Sequence, residues 1–317
     1  MMRTITLEEP VALAHPVVTV GTFDGIHAGH VSVIEAMTDK ARACRGTSVV
    51  VTFDPHPRQF IDGADAPGVL TSLEEKQHCL ASLGVNILAV VGFNDALRQL
   101  SPEAFVKCFL VDKLSARSVI VGYDHGFGRG RQGGFETMKR LGKQFGFSVF
   151  SPPAVCIAEK PVSSTRIRNA LLKGDLDAVV QLMGHPYPLW GRVVEGEKRG
   201  RALGFPTANL RFETPGKLLP PPGVYAGVAR LEQPYIAVIN YGKRPTFGGQ
   251  SAHCEVHLLN FSQNLYGKIL PVEILYRIRG EREFSSKEAL IEQIKADIQT
   301  AEDMLSRHHT DGGKFWR

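Results

Sequence analysis

The stretch Val17-Val18-Thr19-Val20-Gly21-Thr22-Phe23-Asp24-Gly25-Ile26-His27-Ala28-Gly29-His30 decides the architecture of the first half of the chain. Four consecutive β-branched residues stiffen the backbone towards an extended form, so 17–21 predicts a strand. Glycines at 21, 25 and 29 mark a turn, and 30–44 then reads as a helix. A strand, a glycine-containing turn and a helix start in direct succession make an anion site. The free N–H groups of the first helical turn and the helix dipole point at the same place.

Working outward, the same grammar repeats. Strands are predicted at 48–53, 86–91, 118–121 and 147–150, with helices at 72–83, 101–113, 136–145 and 164–173 between or after them. Pro102 sits at the first position of the helix that Ser101 opens, where a missing N–H costs nothing. Alternating strands and helices predict a doubly wound α/β domain with a parallel sheet. From Trp190 onward the pattern changes to short alternating segments punctuated by glycine and proline, at 191–195, 223–230, 235–240, 254–259 and 272–279. These predict an antiparallel β-barrel. An amphipathic helix at 286–305, opened by Ser286, would pack on it. Gly184, Pro186 and Pro188 interrupt any regular element, so the predicted domains are 1–184 and 185–317.

At 317 residues the chain is long enough for two domains. Its 43% hydrophobic and 22% charged residues exclude a disordered or fibrous chain. No run approaches the roughly 20 apolar residues of a membrane span, and the acidic N-terminal stretch lacks the apolar core of a signal peptide. A cytoplasmic location is expected. Five scattered cysteines form no CxxC pair, so reduced thiols without a framework role are expected. The 37 Lys and Arg against 32 Asp and Glu give +5, compatible with small polyanions such as nucleotides and too mild to imply duplex DNA.

Within the opening turn, Gly21, Phe23, Asp24 and Gly25 are candidates to line a nucleotide. His27 and His30 are candidates to stabilise charge building on an α-phosphate and a leaving pyrophosphate, which is electrostatic work. The bland alternative is a helix cap and a surface histidine. Ser163-Ser164-Thr165-Arg166-Ile167-Arg168 also opens a helix, and its hydroxyls and arginines suit triphosphate oxygens. Asp54, in the Phe53-Asp54-Pro55-His56-Pro57 segment after the second strand, lies on the same carboxyl edge, where open α/β sheets bind ligands. Gly128-Arg129-Gly130-Arg131-Gln132-Gly133 matches GxGxxG but follows a late strand and lacks an acidic residue about 20 positions on, so a dinucleotide fold is rejected.

In the second half, Gly196, Gly200 and Gly204 recur every four residues ahead of Phe205-Pro206-Thr207-Ala208-Asn209. A flexible cationic loop over phosphates fits, with Thr207 and Asn209 as oxygen ligands of a magnesium ion that also binds ATP. Glu255 lies in an alternating run that puts Cys254, Val256 and Leu258 on one side and Glu255, His257 and Leu259 on the other. Pointed into a site, Glu255 can take a proton from an attacking alcohol.

Taken together, GTFDGIHAGH, FDPHP, VGYDHGFG and VSSTRIR, followed by GEKRGRALGFPTANL, GVYAGV, AVINYGKRPTFGG and CEVHLLNF, run across nearly all of the sequence. In this order they resemble the bifunctional bacterial riboflavin kinase and FMN adenylyltransferase (FAD synthetase) family. The resemblance implies an α/β plus β-barrel fold: a Rossmann-like nucleotidyltransferase domain, then a riboflavin kinase barrel with a terminal helix. It implies that His27, His30, Asp124, Ser164, Thr165 and Arg168 belong to the adenylyl-transfer site. Thr207 and Asn209 would hold magnesium ATP, Glu255 would be the kinase base, and Asn240 falls on a family position near the nucleotide. His125-Gly126 stands where many members have Phe-Arg, so a cationic contact there is either missing or supplied by Arg129. Asn260 replaces a frequent aspartate.

The expected chemistry has two steps. Riboflavin is phosphorylated by ATP to FMN in the barrel, and FMN is adenylylated by a second ATP to FAD, with release of pyrophosphate, in the α/β domain. FMN and FAD are then substrate and product rather than redox cofactors, and Mg2+ accompanies ATP. The expected partners are riboflavin, FMN and ATP, with neither nucleic acid nor membrane, and weak self-association stays open. The rival reading is a nucleotidyltransferase for another phosphate acceptor fused to a nucleic-acid-binding barrel. Such a barrel needs interleaved aromatic and basic residues, whereas Tyr225, Tyr235, Tyr241 and Phe247 are scattered among turns.

Overall fold

The computed structural model describes residues 2–197, 199–246 and 249–310. The chain forms two compact units, one ending at Ser164 and the next beginning at Thr165.

In the first unit, β1 (Arg3–Thr6), β2 (Val17–Val20), β3 (Ser48–Asp54), β4 (Ile87–Gly92), β5 (Ser118–Ile120) and β6 (Ser148–Phe150) make one sheet in the order β1-β4-β3-β2-β5-β6. Every pairing in it is parallel. Its helices are α1 (Ala28–Ala43), α2 (Pro57–Asp62), α3 (Leu73–Ser82), α4 (Asp95–Gln99), α5 (Pro102–Phe105) and α6 (Phe135–Phe145). A small ribbon of β7 (Cys156–Ile157) and β8 (Lys160–Pro161) precedes α7 (Ser164–Lys173), a helix that the division of the chain cuts after its first residue. All of β2 is buried, as a central parallel strand covered on both faces must be. The order reverses between β2 and β5, and the carboxyl ends at such a switch point frame the usual ligand crevice. The Gly21–His30 turn and the Gly122–Asp124 segment leave the sheet at those two ends.

Two local features differ from the sequence reading, one an added strand and one a revised helix. β1, an edge strand paired with β4, has no distinctive sequence signal. The helix expected over 101–113 is α-helical only to Phe105 and winds more widely, as a π-helix, from Val106 to Lys113. Its buried side chains recur at Phe105–Val106, Phe109–Leu110 and Leu114, a spacing longer than 3.6 that the wider winding keeps on one side.

The second unit contains α8 (Leu176–Met183), β9 (Tyr187–Pro188), β10 (Gly191–Val194), α9 (Arg199–Ala202), β11 (Ala208–Arg211), β12 (Gly223–Arg230), β13 (Pro234–Thr246), β14 (Gly249–Leu258), β15 (Ile269–Leu270), β16 (Val272–Arg279) and α10 (Lys287–Thr310). Its sheet runs β15-β10-β11-β14-β13-β12-β16-β9 and is antiparallel throughout. The two ends of that order meet. Tyr187 pairs with Ile274, Pro188 with Glu273, Gly191 with Leu270 and Arg192 with Ile269, one unbroken register. β9–β10 and β15–β16 are therefore the two sides of a single ladder, and among the described residues the sheet closes as a six-stranded barrel. Tyr241, Ile239 and Ala237 of β13 pair with Cys254, Val256 and Leu258 of β14, and all six are buried. On the outer face Val224, Ala226, Val238 and Leu275 pack with Ala301 and Leu305 of α10.

The expected strand at 235–240 extends to Thr246, because its hairpin pairs Ala237 through Thr246 with β14 and takes Gly242 and Pro245 inside the ladder. Gly184, expected at a domain boundary, is the left-handed C-cap of α8 (φ 78°). The units divide earlier in sequence because α8, with Leu176, Val179, Leu182 and Met183 buried, packs on β16 and β9.

Candidate active sites

The turn after β2 is strained and firmly held. Phe23 (φ 46°), Gly25 (φ 90°) and Ile26 (φ 36°) all adopt left-handed backbone, a conformation that a β-branched isoleucine reaches only under constraint. The constraint comes from the segment leading into α3. Asp24, 1% exposed, accepts at Oδ1 from the amides of Leu70 (2.9 Å) and Thr71 (3.0 Å), and the Gly25 amide donates to Thr71 Oγ1 (3.0 Å). Lys76 of α3, 5% exposed, donates from Nζ to the Thr22 carbonyl (2.7 Å) and to Thr52 Oγ1 (3.2 Å). Ser164 Oγ donates to the Asp24 carbonyl (2.8 Å), which brings the second hydroxyl motif onto the turn. The Asp24 carboxylate, expected to line the nucleotide, thus faces backbone amides inside the protein. Phe23 folds over Gly21, whose added Cβ would lie 3.1 Å from the ring.

His27 is both a helix cap and a site residue. Its Nδ1 accepts from the His30 amide (3.3 Å), which fixes the tautomer with the proton on Nε2. The His27 and His30 rings stack with centroids 3.7 Å apart, and Phe23 meets His30 edge-on. His30 Nδ1 is buried without a hydrogen-bond partner. Burial, then the neighbouring His27 and Lys76, holds the His30 imidazole well below its ordinary range, so the His30 ring is uncharged in neutral solution. Burial likewise pushes Lys76 down to about 8, against the raising influence of Asp24 and Asp54.

Asp54, at the end of β3, and Asp124, after β5, are exposed. Arg131, rather than Arg129, supplies the guanidinium near the departure from the family pattern. Its Nη2 donates to the Asp124 carbonyl (3.1 Å), and a side chain at Gly126 would meet it, with Nε 2.9 Å from an added Cβ. Glycine at 126 therefore makes the room that Arg131 fills. His125 stacks near Phe127 and is pushed down to about 4 by burial and then by Arg131. The GxGxxG run has conformational reasons for its glycines: Gly128 and Gly130 have positive φ, and Phe127 bridges to Gly133. Thr165, exposed, and Arg168, buried, follow Ser164 in α7 and belong to the second unit.

In the second unit three expected residues fall in one row. Asn209 on β11 pairs with Glu255 on β14, which pairs with Asn240 on β13, so all three share the outer face of the barrel. The glycines of the preceding loop explain how the row is served. A methyl at Gly196 would fall onto the Asn209 amide, and one at Gly200 would fall onto the Phe205 carbonyl and lie 3.1 Å from Thr207 Oγ1. Two neighbours on the Glu255 face went unassigned in the sequence. His257 Nδ1 lies 2.8 Å from the Pro206 carbonyl and its ring meets Phe205, tying the loop to β14. His253 Nε2 lies 2.8 Å from Glu255 Oε1, off the hydrogen-bond axis. A cleft of about 520 Å³ opens beside them, lined by Glu195, Gly196, Asn209, Lys217 and His253 among others. Gly204 is left-handed (φ 89°), Pro206 is exposed, and Asn260 adopts φ 57°, which asparagine tolerates. Lys198, Phe247 and Gly248 of the expected motifs lie outside the described residues.

Sequence reasoning missed Thr71, Lys76, His253, His257 and the place of Arg131. Lys76 follows two glutamates at a helix start and reads as a solvated charge. Only the strand alternation, which put His257 on the Glu255 face, carried a usable signal.

Comparison with known proteins divides the chain in the same sense. The family model described as FAD synthetase matches residues 10–166, and the one described as riboflavin kinase matches 183–305. A bifunctional riboflavin kinase/FMN adenylyltransferase of Haemophilus influenzae is 38% identical over 89% of this chain and 92% of its own. That of Bacillus subtilis is 35% identical over 95% and 97%. A solved structure from Streptococcus pneumoniae, described as a macrolide-efflux protein, is 31% identical with a TM-score of 0.83 over 95% of this chain and 98% of its own.

Proposed function

The chain belongs to the bifunctional riboflavin kinase/FMN adenylyltransferase family, and from that membership we propose how its residues divide the two reactions. It phosphorylates riboflavin to FMN and adenylylates FMN to FAD, each with ATP. The kinase step is assigned to 185–317 and the adenylyl transfer to 1–184.

The row Asn209–Glu255–Asn240 carries the kinase assignment, since it gathers three chemically suitable side chains from three strands. Glu255 takes the proton of the riboflavin 5′-hydroxyl as that oxygen attacks the γ-phosphorus, and ADP leaves. His253, against Glu255 Oε1, and His257, holding the Pro206 carbonyl, keep base and loop in register. Thr207 and Asn209 offer side-chain oxygens, which suit a hard cation, and the glycines at 196 and 200 allow these side chains to pack directly against the loop. A magnesium ion held there with ATP supplies neutralisation of phosphate charge.

For adenylyl transfer, the FMN phosphate is already ionised and needs no base. Its oxygen attacks the α-phosphorus and pyrophosphate leaves. His27, with its proton on Nε2, and His30 donate to the oxygens where charge builds, at a helix start whose amides already favour an anion. Asp24 and Ser164 set the turn, while Gly21, Phe23, Gly25, Asp54 and Asp124 are proposed around the nucleotide.

Among the described residues no helix is long and apolar enough to cross a membrane. With five free cysteines, a reducing cytoplasm is the proposed location. No nucleic-acid partner is proposed, and any self-association is weak.

One crossed experiment tests the division. His27→Ala combined with His30→Ala is expected to abolish FAD formation and spare FMN formation. Glu255→Gln is expected to lower riboflavin phosphorylation by about 100-fold or more and spare FAD formation from supplied FMN. Loss of both activities in either folded variant, or of neither, refutes it.

A further inference from the structure

Lys76 is the one buried ammonium at the adenylyl-transfer turn among the described residues, and the chemistry above makes no use of it. Its surroundings are unusual for a lysine that only fills space. The helix that carries it is locked by a reciprocal cap: the Ser72 amide donates to Glu75 Oε2 (2.7 Å) and the Glu75 amide to Ser72 Oγ (3.1 Å). From that fixed base, Nζ reaches the Thr22 carbonyl and Thr52 Oγ1, and Thr52 Oγ1 donates to the same carbonyl (3.2 Å). The ammonium thus joins α3, the end of β3 and the first residues of the strained turn at one point.

We infer that Lys76 is a positioning residue for adenylyl transfer, whose protonated ammonium on the Thr22 carbonyl holds the turn with its two imidazoles set for the reacting phosphates. Lys76 is too buried to reach substrate, so it acts through Thr22. The inference rests on the assignment of adenylyl transfer to this turn. Burying an ammonium is costly, and an apolar side chain of similar volume would fill the site at least as well for stability alone. What only the charged form supplies is a donor to the carbonyl and positive charge behind the turn. Small displacements of groups that must meet a transition state cost disproportionately in rate.

The titration has a defined sign. The groups facing the ammonium are Asp24 from the turn, Asp54 from the end of β3 and His30 from α1, while Glu75 beside it on α3 is engaged with the Ser72 amide. With its pKa lowered to about 8, chiefly by burial, the group is mostly charged at pH 7 and loses its proton as pH rises through that value. FAD formation should therefore fall on the alkaline side while FMN formation does not.

The test measures kcat for FMN adenylylation by the full chain between pH 7.0 and 9.5, with riboflavin phosphorylation in the same samples as control. Wild type should show an alkaline limb near pH 8. Lys76→Met should lose about 10-fold or more at pH 7, with less change in KM for ATP, and should show no limb. Thr52→Val, which keeps the shape and removes one acceptor, should move the limb to lower pH. That shift is one a purely structural lysine would not give, and it carries the test alone if Lys76→Met does not fold. The inference is overturned by wild-type turnover in Lys76→Met, by a limb that survives in it, or by a limb that Thr52→Val leaves in place. If the His27→Ala, His30→Ala variant makes FAD normally, the site assignment has failed. If that variant is inactive while Lys76→Met is not, only this inference has failed.

Discussion

Replacing Asp24 by asparagine separates a residue that holds the turn from one that binds nucleotide. The Asp24 Oδ1 accepts from two backbone amides, those of Leu70 and Thr71, in a region where Asp24, Leu70 and Thr71 are all 2% exposed or less. An amide oxygen can still accept both bonds, but without charge. A hydrogen bond to a charged group contributes about 1.5–3 kcal/mol net and a neutral one about 1, so each loses roughly 1 kcal/mol, or about 2 in all. For a unit of 164 residues, about 2 kcal/mol lowers Tm by roughly 4–8 °C. Asp24→Ala removes the acceptor of both amides and should cost about 4 kcal/mol. Both tryptophans, Trp190 and Trp316, lie in the second half of the sequence, so no residue of the first unit contributes to tryptophan fluorescence, while circular dichroism follows both units. Asp24→Asn should lower only the transition that tryptophan does not report, and change KM for ATP in adenylylation by less than about 3-fold when assayed well below Tm. An unshifted melt with a large rise in KM for ATP would refute this and return Asp24 to the nucleotide.

Gly196→Ala should depress riboflavin phosphorylation selectively, because its methyl falls onto the Asn209 amide; kinase rates against magnesium concentration, with FAD formation from FMN as control, check it. A fragment beginning at residue 185 should retain kinase activity yet melt lower than one beginning at 165, since the shorter piece lacks α8, which packs on β16 and β9. Thermal melts and FMN production of the two fragments decide between this and a barrel that is indifferent to the helix.

Local chemistry made much of the architecture legible. The β-branched run 17–20 followed by glycines and a helix start predicts a strand and its anion-binding turn without reference to anything distant. The alternation around Glu255 separated Cys254, Val256 and Leu258 from Glu255 and His257, as the barrel does, because a strand's two-residue period fixes its faces locally. The order of motifs was enough to suggest two activities. The extent of β13 was not legible, because Gly242 and Pro245 signal a turn and only pairing with β14 holds them extended.

Tertiary structure decided what the motifs touch. Asp24 lies 46 residues from Leu70 in sequence, and no periodicity reveals that its carboxylate is taken by that segment's amides. The same holds for Lys76, which looks solvated between a glutamate pair and a polar helix face until the parallel sheet sets Thr22 and Thr52 beside it. Closure of the barrel depends on β9–β10 finding β15–β16 across most of the domain, and the Asn209–Glu255–Asn240 row depends on the register of three strands. Residue types and spacing fix what a side chain can do and which face of its own element it occupies. Partners remote in sequence are set by burial and register, which are properties of the assembled chain.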